Sequence, residues 1–389
     1  MSSSEAVKTT RPRNRKSQIV AAAADLFRVH GYHGVALADV ADAVGISAPA
    51  LYRHVRNKQE LLLTTVQGGF NSLDGAARRS TDVDGLVTAL VTLSMTRSGL
   101  AGLWQREARH LPDEEHAALR AQLTDLVKHM AGLLRAERND LTDANAELVA
   151  WSLLGVLASL AARRVDLPSR RLEHVARQVA YAVVRCDVRA DPAAKLVNRR
   201  SHRSDSESRR EQLLNAAAEL FDRRGFGSVS MNDIGSAVGI AGPSVYKHFA
   251  GKADLLAAVM VRGYERLHAG LPQVHAAPDP RTALTILMRS HIDFSVQNSY
   301  LIGLLISERD QLPDKERAAS VRAQKDYLDV WVRIVDRALP GREPGELQLM
   351  VNAAFTVINN LVRTGRTNRR SDLADRLTEL TLAIVATDL

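Results

Sequence analysis

The sequence predicts an all-α protein built from two tandem units, and three observations carry that reading. The stretch from Arg15 to Leu62 recurs, ungapped, from Arg209 to Leu256. The two copies agree at roughly twenty positions, and a repeat that returns only after so long an interval marks a duplicated domain rather than a solenoid. Inside each copy the apolar residues fall at helical spacing: Ile19, Ala22, Ala23, Leu26 and Phe27 follow the i, i+3, i+4, i+7 pattern of an amphipathic helix. The duplication also reaches beyond the copies. Leu111-Pro112-Asp113, following Glu107, is mirrored by Leu312-Pro313-Asp314, following Glu308.

Each copy reads as three helices. Gly31 stops the first, because glycine enters the left-handed conformation cheaply at a helix end. Leu37, Val40, Ala41 and Val44 make a short second helix that Gly45 ends. Ile46 plugs the angle of the turn. Ser47 is a candidate N-cap, and Pro49 suits the first turn of a third helix over about Ala48 to Val55, where a missing N–H costs nothing. Copy two repeats the series with Met231, Ile234 and Val238, then Gly239 and Ile240, then Pro243, Val245 and Phe249. Two short helices at a steep angle, joined through a Gly-containing turn, form a helix-turn-helix.

The runs "LF…GY", "ADVADAVGIS", "LYRHV…K" and "LL" together resemble the DNA-binding domain of TetR-type transcriptional regulators. "AAAELF…GF…NDIGSAVGI…VYKHF…K…LL" resembles it equally well. The resemblance implies a helix-turn-helix domain followed by a helical ligand-binding and dimerisation domain, here twice. The expected domains are a head at 13–73, a helical domain at 74–188, a basic linker at 189–206, a second head at 207–267 and a second helical domain at 268–389. The stretch from Leu103 to Arg109 adds a low-specificity likeness to the tandem actinobacterial subgroup that includes repressors of mammalian-cell-entry operons.

Lys8, Arg11, Arg13, Arg15 and Lys16 precede the first head with no acid among them. They read as an arm along phosphates or in the minor groove, or as a solvated tail. Glu60 to Phe70 continues as a fourth helix. Asp143 to Arg164 and Arg170 to Val184 are two long amphipathic helices, and Gly345 to Thr364 with Ser371 to Ala386 form the matching pair. The resemblance implies that such pairs build a four-helix bundle. In this chain the two halves would pair with each other, as an intrachain pseudo-dimer, with a homodimer of chains left open. Pro272 to Pro280 reads as a loop.

The chain of 389 residues carries a formal charge of +8, which favours a polyanionic partner. Cys186 is its one cysteine, so it forms no intrachain disulfide and no Cys-based zinc site. No signal-peptide pattern opens it, and its most apolar run, Leu148 to Ala162, is too short to span a bilayer. A cytoplasmic protein is expected, without membrane contact, cofactor or metal.

DNA contacts divide into positioning and specifying groups. The resemblance carries phosphate contact onto Tyr52, His54 and Lys58 and onto Tyr246, His248 and Lys252. Packing between helices is the alternative for Tyr52 and His54. Base reading falls to Ser47, Ala48, Ala50 and Arg53 in copy one, and to Ala241, Gly242, Ser244 and Lys247 in copy two. Small side chains let a helix sit deep and meet thymine methyls. Ser230 opens the second helix of copy two, where family members carry a capping, phosphate-touching Ser or Thr; copy one has Ala36. The heads therefore should not read the same sequence, and an operator with dissimilar half-sites is expected.

Trp104, Glu107, Arg109 and His110 in half one, and His291, Phe294, Asn298, Tyr300 and Glu308 in half two, are candidates for a polar-tipped effector pocket. Core aromatics and solvated charges are the alternative. Aromatics make up 4% of the chain, so aliphatic side chains would line most of a pocket and favour an apolar effector. The tandem resemblance implies a lipid, steroid or acyl thioester. No Gly-rich phosphate loop, HExxH, GxSxG or spaced Cys/His cluster is present, so an enzyme is not expected. The expected function is a ligand-responsive DNA-binding regulator, a repressor before an activator. A sequence-nonspecific architectural DNA binder is the rival reading.

Overall fold

The computed structural model describes residues 15–96, 103–104, 107–162, 165–189, 195–197 and 208–387. The basic arm before Arg15 and most of the linker lie outside them. No strand occurs among the described residues; a single bridge, Leu196 to Arg370, ties the linker to the second half.

Head one contains α1 (Arg15–His30), α2 (Leu37–Val44), α3 (Ala48–Leu51) and α4 (Lys58–Arg79). Ile19, Ala23 and Phe27 bury one face of α1, as their spacing requires. Gly45 holds a left-handed φ of 68° and closes α2 with N–H bonds to Ala41 and Asp42. The third helix is shorter than the sequence predicts. It ends at Leu51, and the chain continues to Val55 as a turn in which His54 N–H and Val55 N–H both reach the Leu51 carbonyl. Arg15, expected in the arm, is instead the first residue of α1 and donates to the Val44 carbonyl at 3.4 Å.

Half one continues with α5 (Val83–Thr96), a 3-10 turn at Ala108–His110, α6 (Asp113–Glu137), α7 (Asp143–Ala162) and α8 (Ser169–Arg185). Head two contains α9 (Arg209–Arg224), α10 (Met231–Ala237), α11 (Gly242–Val245) and α12 (Lys252–His268). Half two continues with α13 (Leu271–His275), α14 (Pro280–Gln297), α15 (Ser299–Ser307), α16 (Asp314–Ala338), α17 (Pro344–Arg363), α18 (Gly365–Asn368) and α19 (Leu373–Val385). The loop expected over Pro272 to Pro280 is partly helical. Pro272 sits in the first turn of α13, and the Asp279 side chain caps α14 by accepting from Arg281 and Thr282 N–H.

The two halves meet through α7 and α8 on one side and α17 and α19 on the other, a four-helix bundle closed within one chain. Small residues set the approach. A Cβ at Gly155 would lie 3.0 Å from Val357 Cα, and one at Gly345 would lie 2.6 Å from the Asp166 carbonyl oxygen. Polar ties cross the same seam: Arg171 pairs with the buried Glu346, and Arg370 donates to Asn145 Oδ1 at 2.7 Å. No helix among the described residues is long and apolar enough to cross a membrane.

Candidate nucleic-acid interface and effector cavity

The third element of each head is short, and that shapes what it exposes. Tyr52 and Tyr246 both stand at 56% exposure just past α3 and α11. Arg53, His54, Lys247 and His248 are exposed beside them, as is Ser47. Ala48, Ala50 and Ser244 are half-buried, so each presents only part of its side chain.

Three expected DNA contacts differ in the structure. Gly242 is buried, and a Cβ there would fall 1.6 Å from Asn232 Oδ1; the glycine lets α11 close onto α10 and offers no reading surface. The Lys252 ammonium turns inward, donating to the Phe226 carbonyl at 2.7 Å and the Val229 carbonyl at 2.9 Å, above the Phe226 ring. Lys58 does the same more loosely, 3.5 Å from the His33 carbonyl and over the Tyr32 ring. Burial lowers its pKa, with Asp39 and Glu107 pulling the other way. Both lysines hold the loop between the first two helices of their head.

The caps separate the heads as the sequence implies. Ser230 Oγ accepts from Asp233 N–H at 3.1 Å, and Asp233 accepts from Ser230 N–H at 2.8 Å, a complete capping box. The Ser230 hydroxyl and backbone bonds push the Asp233 carboxyl down to about 2. Head one keeps one arm only, from Ala36 N–H to Asp39 at 2.6 Å. Ser47 occupies its cap position but makes no side-chain cap bond, which leaves its hydroxyl outward.

The expected effector residues divide three ways. Trp104 lines a cavity, packed on Phe70 and stacked on His116 at 5.1 Å between ring centres. Glu107 and His110 do not line it. The buried Glu107 carboxylate accepts Tyr32 N–H at 3.0 Å, and the His110 ring stacks on Tyr32. Glu308 repeats the contact in half two, accepting Phe226 N–H at 3.3 Å. Both carboxylates join helical domain to head. The Arg109 side chain lies outside the described residues.

The other half-two candidates are core. His291 is fully enclosed by Tyr327, Trp331 and Phe355, and burial pushes its pKa down to about 3. Phe294 is buried, Asn298 donates to the Phe294 carbonyl, and Tyr300 packs half-buried against the core. Aromatic residues in a helical pattern gave no means of separating pocket from core.

The cavity has a volume of about 350 Å³. Phe70, Leu93, Trp104, Trp151 and Leu154 form its apolar wall, while Asp222, Arg223, Asn360 and Arg363 reach it from half two. Burial, then the Arg120 charge, lowers His116 below the ordinary histidine range. Sequence reasoning missed most of these residues. Trp151 and Leu154 stand in the apolar run of α7, which the pattern marks as interface helix.

Residues 19–65 and 213–259 each match the family described as bacterial regulatory proteins, tetR family. The HTH-type transcriptional activator FasR of Mycolicibacterium smegmatis is 33% identical over 126 residues, covering 32% of this chain and 57% of FasR. The chain thus spans little more than half of that relative. The HTH-type transcriptional repressor KstR of Rhodococcus jostii is 28% identical over 184 residues, covering 46% of this chain and 84% of KstR. Among solved structures, the ketosteroid transcriptional regulator KstR2 of Mycobacterium tuberculosis aligns at 21% identity with a TM-score of 0.41, over 49% of this chain and 97% of that one.

Proposed function

We propose that the chain, of which residues 19–65 and 213–259 match the tetR family of bacterial regulatory proteins, is a sequence-specific, ligand-responsive DNA-binding regulator whose single chain supplies both reading heads. One observation carries the reading. Each head leaves a Tyr, a long cation and a His exposed together: Tyr52, Arg53 and His54, and Tyr246, Lys247 and His248. Hydroxyls and cations at one helix edge suit phosphates on either side of a major groove. Ser47, Ala48 and Ala50 face the bases in head one, and Ser244 does so in head two. The difference between them gives an operator with dissimilar half-sites.

The bundle of α7, α8, α17 and α19 replaces the interface between two subunits, so one chain acts as its own pseudo-dimer. We read it as a cytoplasmic repressor of the mammalian-cell-entry subgroup, controlling genes of lipid or steroid metabolism. An apolar effector stabilises a state whose heads no longer match the operator. It does so by differential affinity for the two states, of order 1–3 kcal/mol in typical coupling.

Fluorescence anisotropy against the duplex upstream of the protein's own gene tests this, with a random duplex as control at low and moderate salt. A regulator binds its own site about 10³-fold or more tighter than the control. Equal affinities that fall steeply together with salt support an architectural DNA binder instead. Transcription from the same promoter, lower with the protein present, separates repression from activation.

A further inference from the structure

The cavity is built from both halves, and its two sides differ in chemistry. Half one gives the apolar wall, including two of the three tryptophans of the chain, Trp104 and Trp151. Half two closes the mouth with Arg223, Arg363 and Asp222, and Arg120 of α6 adds a third guanidinium. Three guanidiniums stand against Asp222 and against Glu219, 4.0 Å from Arg223, which leaves the mouth with one net positive charge. Asp222 and Arg223 lie in the last turn of α9, the first helix of head two.

Half two differs at the matching positions. Counting from the paired Glu107 and Glu308, the positions of Leu90, Leu126, Met130 and Leu154 are taken by His291, Tyr327, Trp331 and Phe355. These four rings pack on one another with centres 4.4 to 6.0 Å apart. Leu154 lines the cavity of half one, and its counterpart Phe355 packs into this ring cluster in half two.

We propose that the chain senses through this one cavity, binding one amphipathic anion whose apolar body lies against Trp104 and Trp151 of half one and whose head group is held by Arg223 of the second head. This deepens the regulatory reading above and rests on it. The ligand class is a medium-chain carboxylate or a similar apolar body with one anionic end. A volume of about 350 Å³ sits at the small end of ligand pockets. Occupancy acts on head two because α9 is wedged at the mouth. A Cβ at Gly303 of α15 would meet Asp222 Oδ1 at 1.9 Å, and Arg363 lies 3.8 Å from the same atom. A head group drawn to Arg223 therefore shifts the end of α9 against α15 and α17, and the second head with it.

The probe is decanoate, with decanol as its uncharged counterpart, titrated into the full chain by calorimetry and tryptophan fluorescence. The expected result is one decanoate per chain with a change in Trp emission. Arg223→Glu should weaken decanoate about tenfold or more and decanol about threefold or less. Leu154→Trp fills the wall and should abolish both. Amide exchange should change along α9 and little along α1. Two decanoates per chain, no binding of decanoate, affinity indifferent to Arg223→Glu, or exchange changing along α1 instead each overturns the proposal. Binding as described with unchanged operator affinity upholds the site and overturns the regulatory reading.

Discussion

The buried carboxylate of Glu107 accepts the backbone N–H of Tyr32 at 3.0 Å, across the joint between the first head and its helical domain. Glu308 and Phe226 make the equivalent contact in the second half. Each glutamate thus fixes the loop that follows the first helix of its head. Replacing Glu107 with Leu strands a peptide N–H in an enclosed place. The expected cost is about 1–3 kcal/mol, read from the urea midpoint, at unchanged operator sequence preference.

His291 makes stability depend on pH. Its folded pKa is pushed to about 3 by burial, below the ordinary histidine value of 6.5. The unfolded chain therefore binds the extra proton first. The stabilising contribution is complete above pH 6.5 and is lost as pH falls toward 3. By about 1.4 kcal/mol per unit, the loss at pH 5 is on the order of 2 kcal/mol. His291→Leu should flatten this part of the profile in urea titrations at pH 5 and 7.5.

The seam between the halves depends on bare backbone at Gly155. Gly155→Ala places a methyl 3.0 Å from Val357 Cα, and neither helix can retreat without opening the bundle. The expected loss is about 1–3 kcal/mol. Gly68→Ala in α4 meets nothing within 4 Å and should gain about 0.5–1 kcal/mol from helix propensity. Thermal melts of the two variants should move in opposite directions.

Head one lacks the side-chain cap that Ser230 gives head two. Ala36→Ser should add about 1 kcal/mol to the stability of head one, and Ser230→Ala should remove about as much from head two. Exchange of the amides in α2 and α10 reads each change locally. The two variants together invert the present difference between the heads.

The helices were legible because their apolar period and glycine stops act locally. Gly31 and Gly45 hold φ of 71° and 68° where the sequence places the helix ends. The paired long helices were legible for the same reason, within one or two residues. Side-chain direction was not. Lys252 looks like a phosphate ligand in sequence, yet three carbonyls of its own head lie within 3.5 Å of its ammonium. Glu107 and His110 stand next to Trp104 in sequence, but the 3-10 turn at Ala108–His110 turns them to the head while Trp104 faces the cavity. Gly242 looks base-facing in sequence because nothing there reveals how closely Asn232 approaches. The mouth of the cavity joins residues from the two halves of the chain, which no local pattern reports.

On the proposed function, one chain holds both heads on one operator. Sedimentation of the full chain with a duplex carrying the mapped site, at a concentration well above the dissociation constant, tests it most directly. The account predicts one chain per duplex, with two protected stretches of unequal sequence in the footprint of that complex. Two chains on a single perfect palindrome, with each chain engaging through only one head, would contradict it.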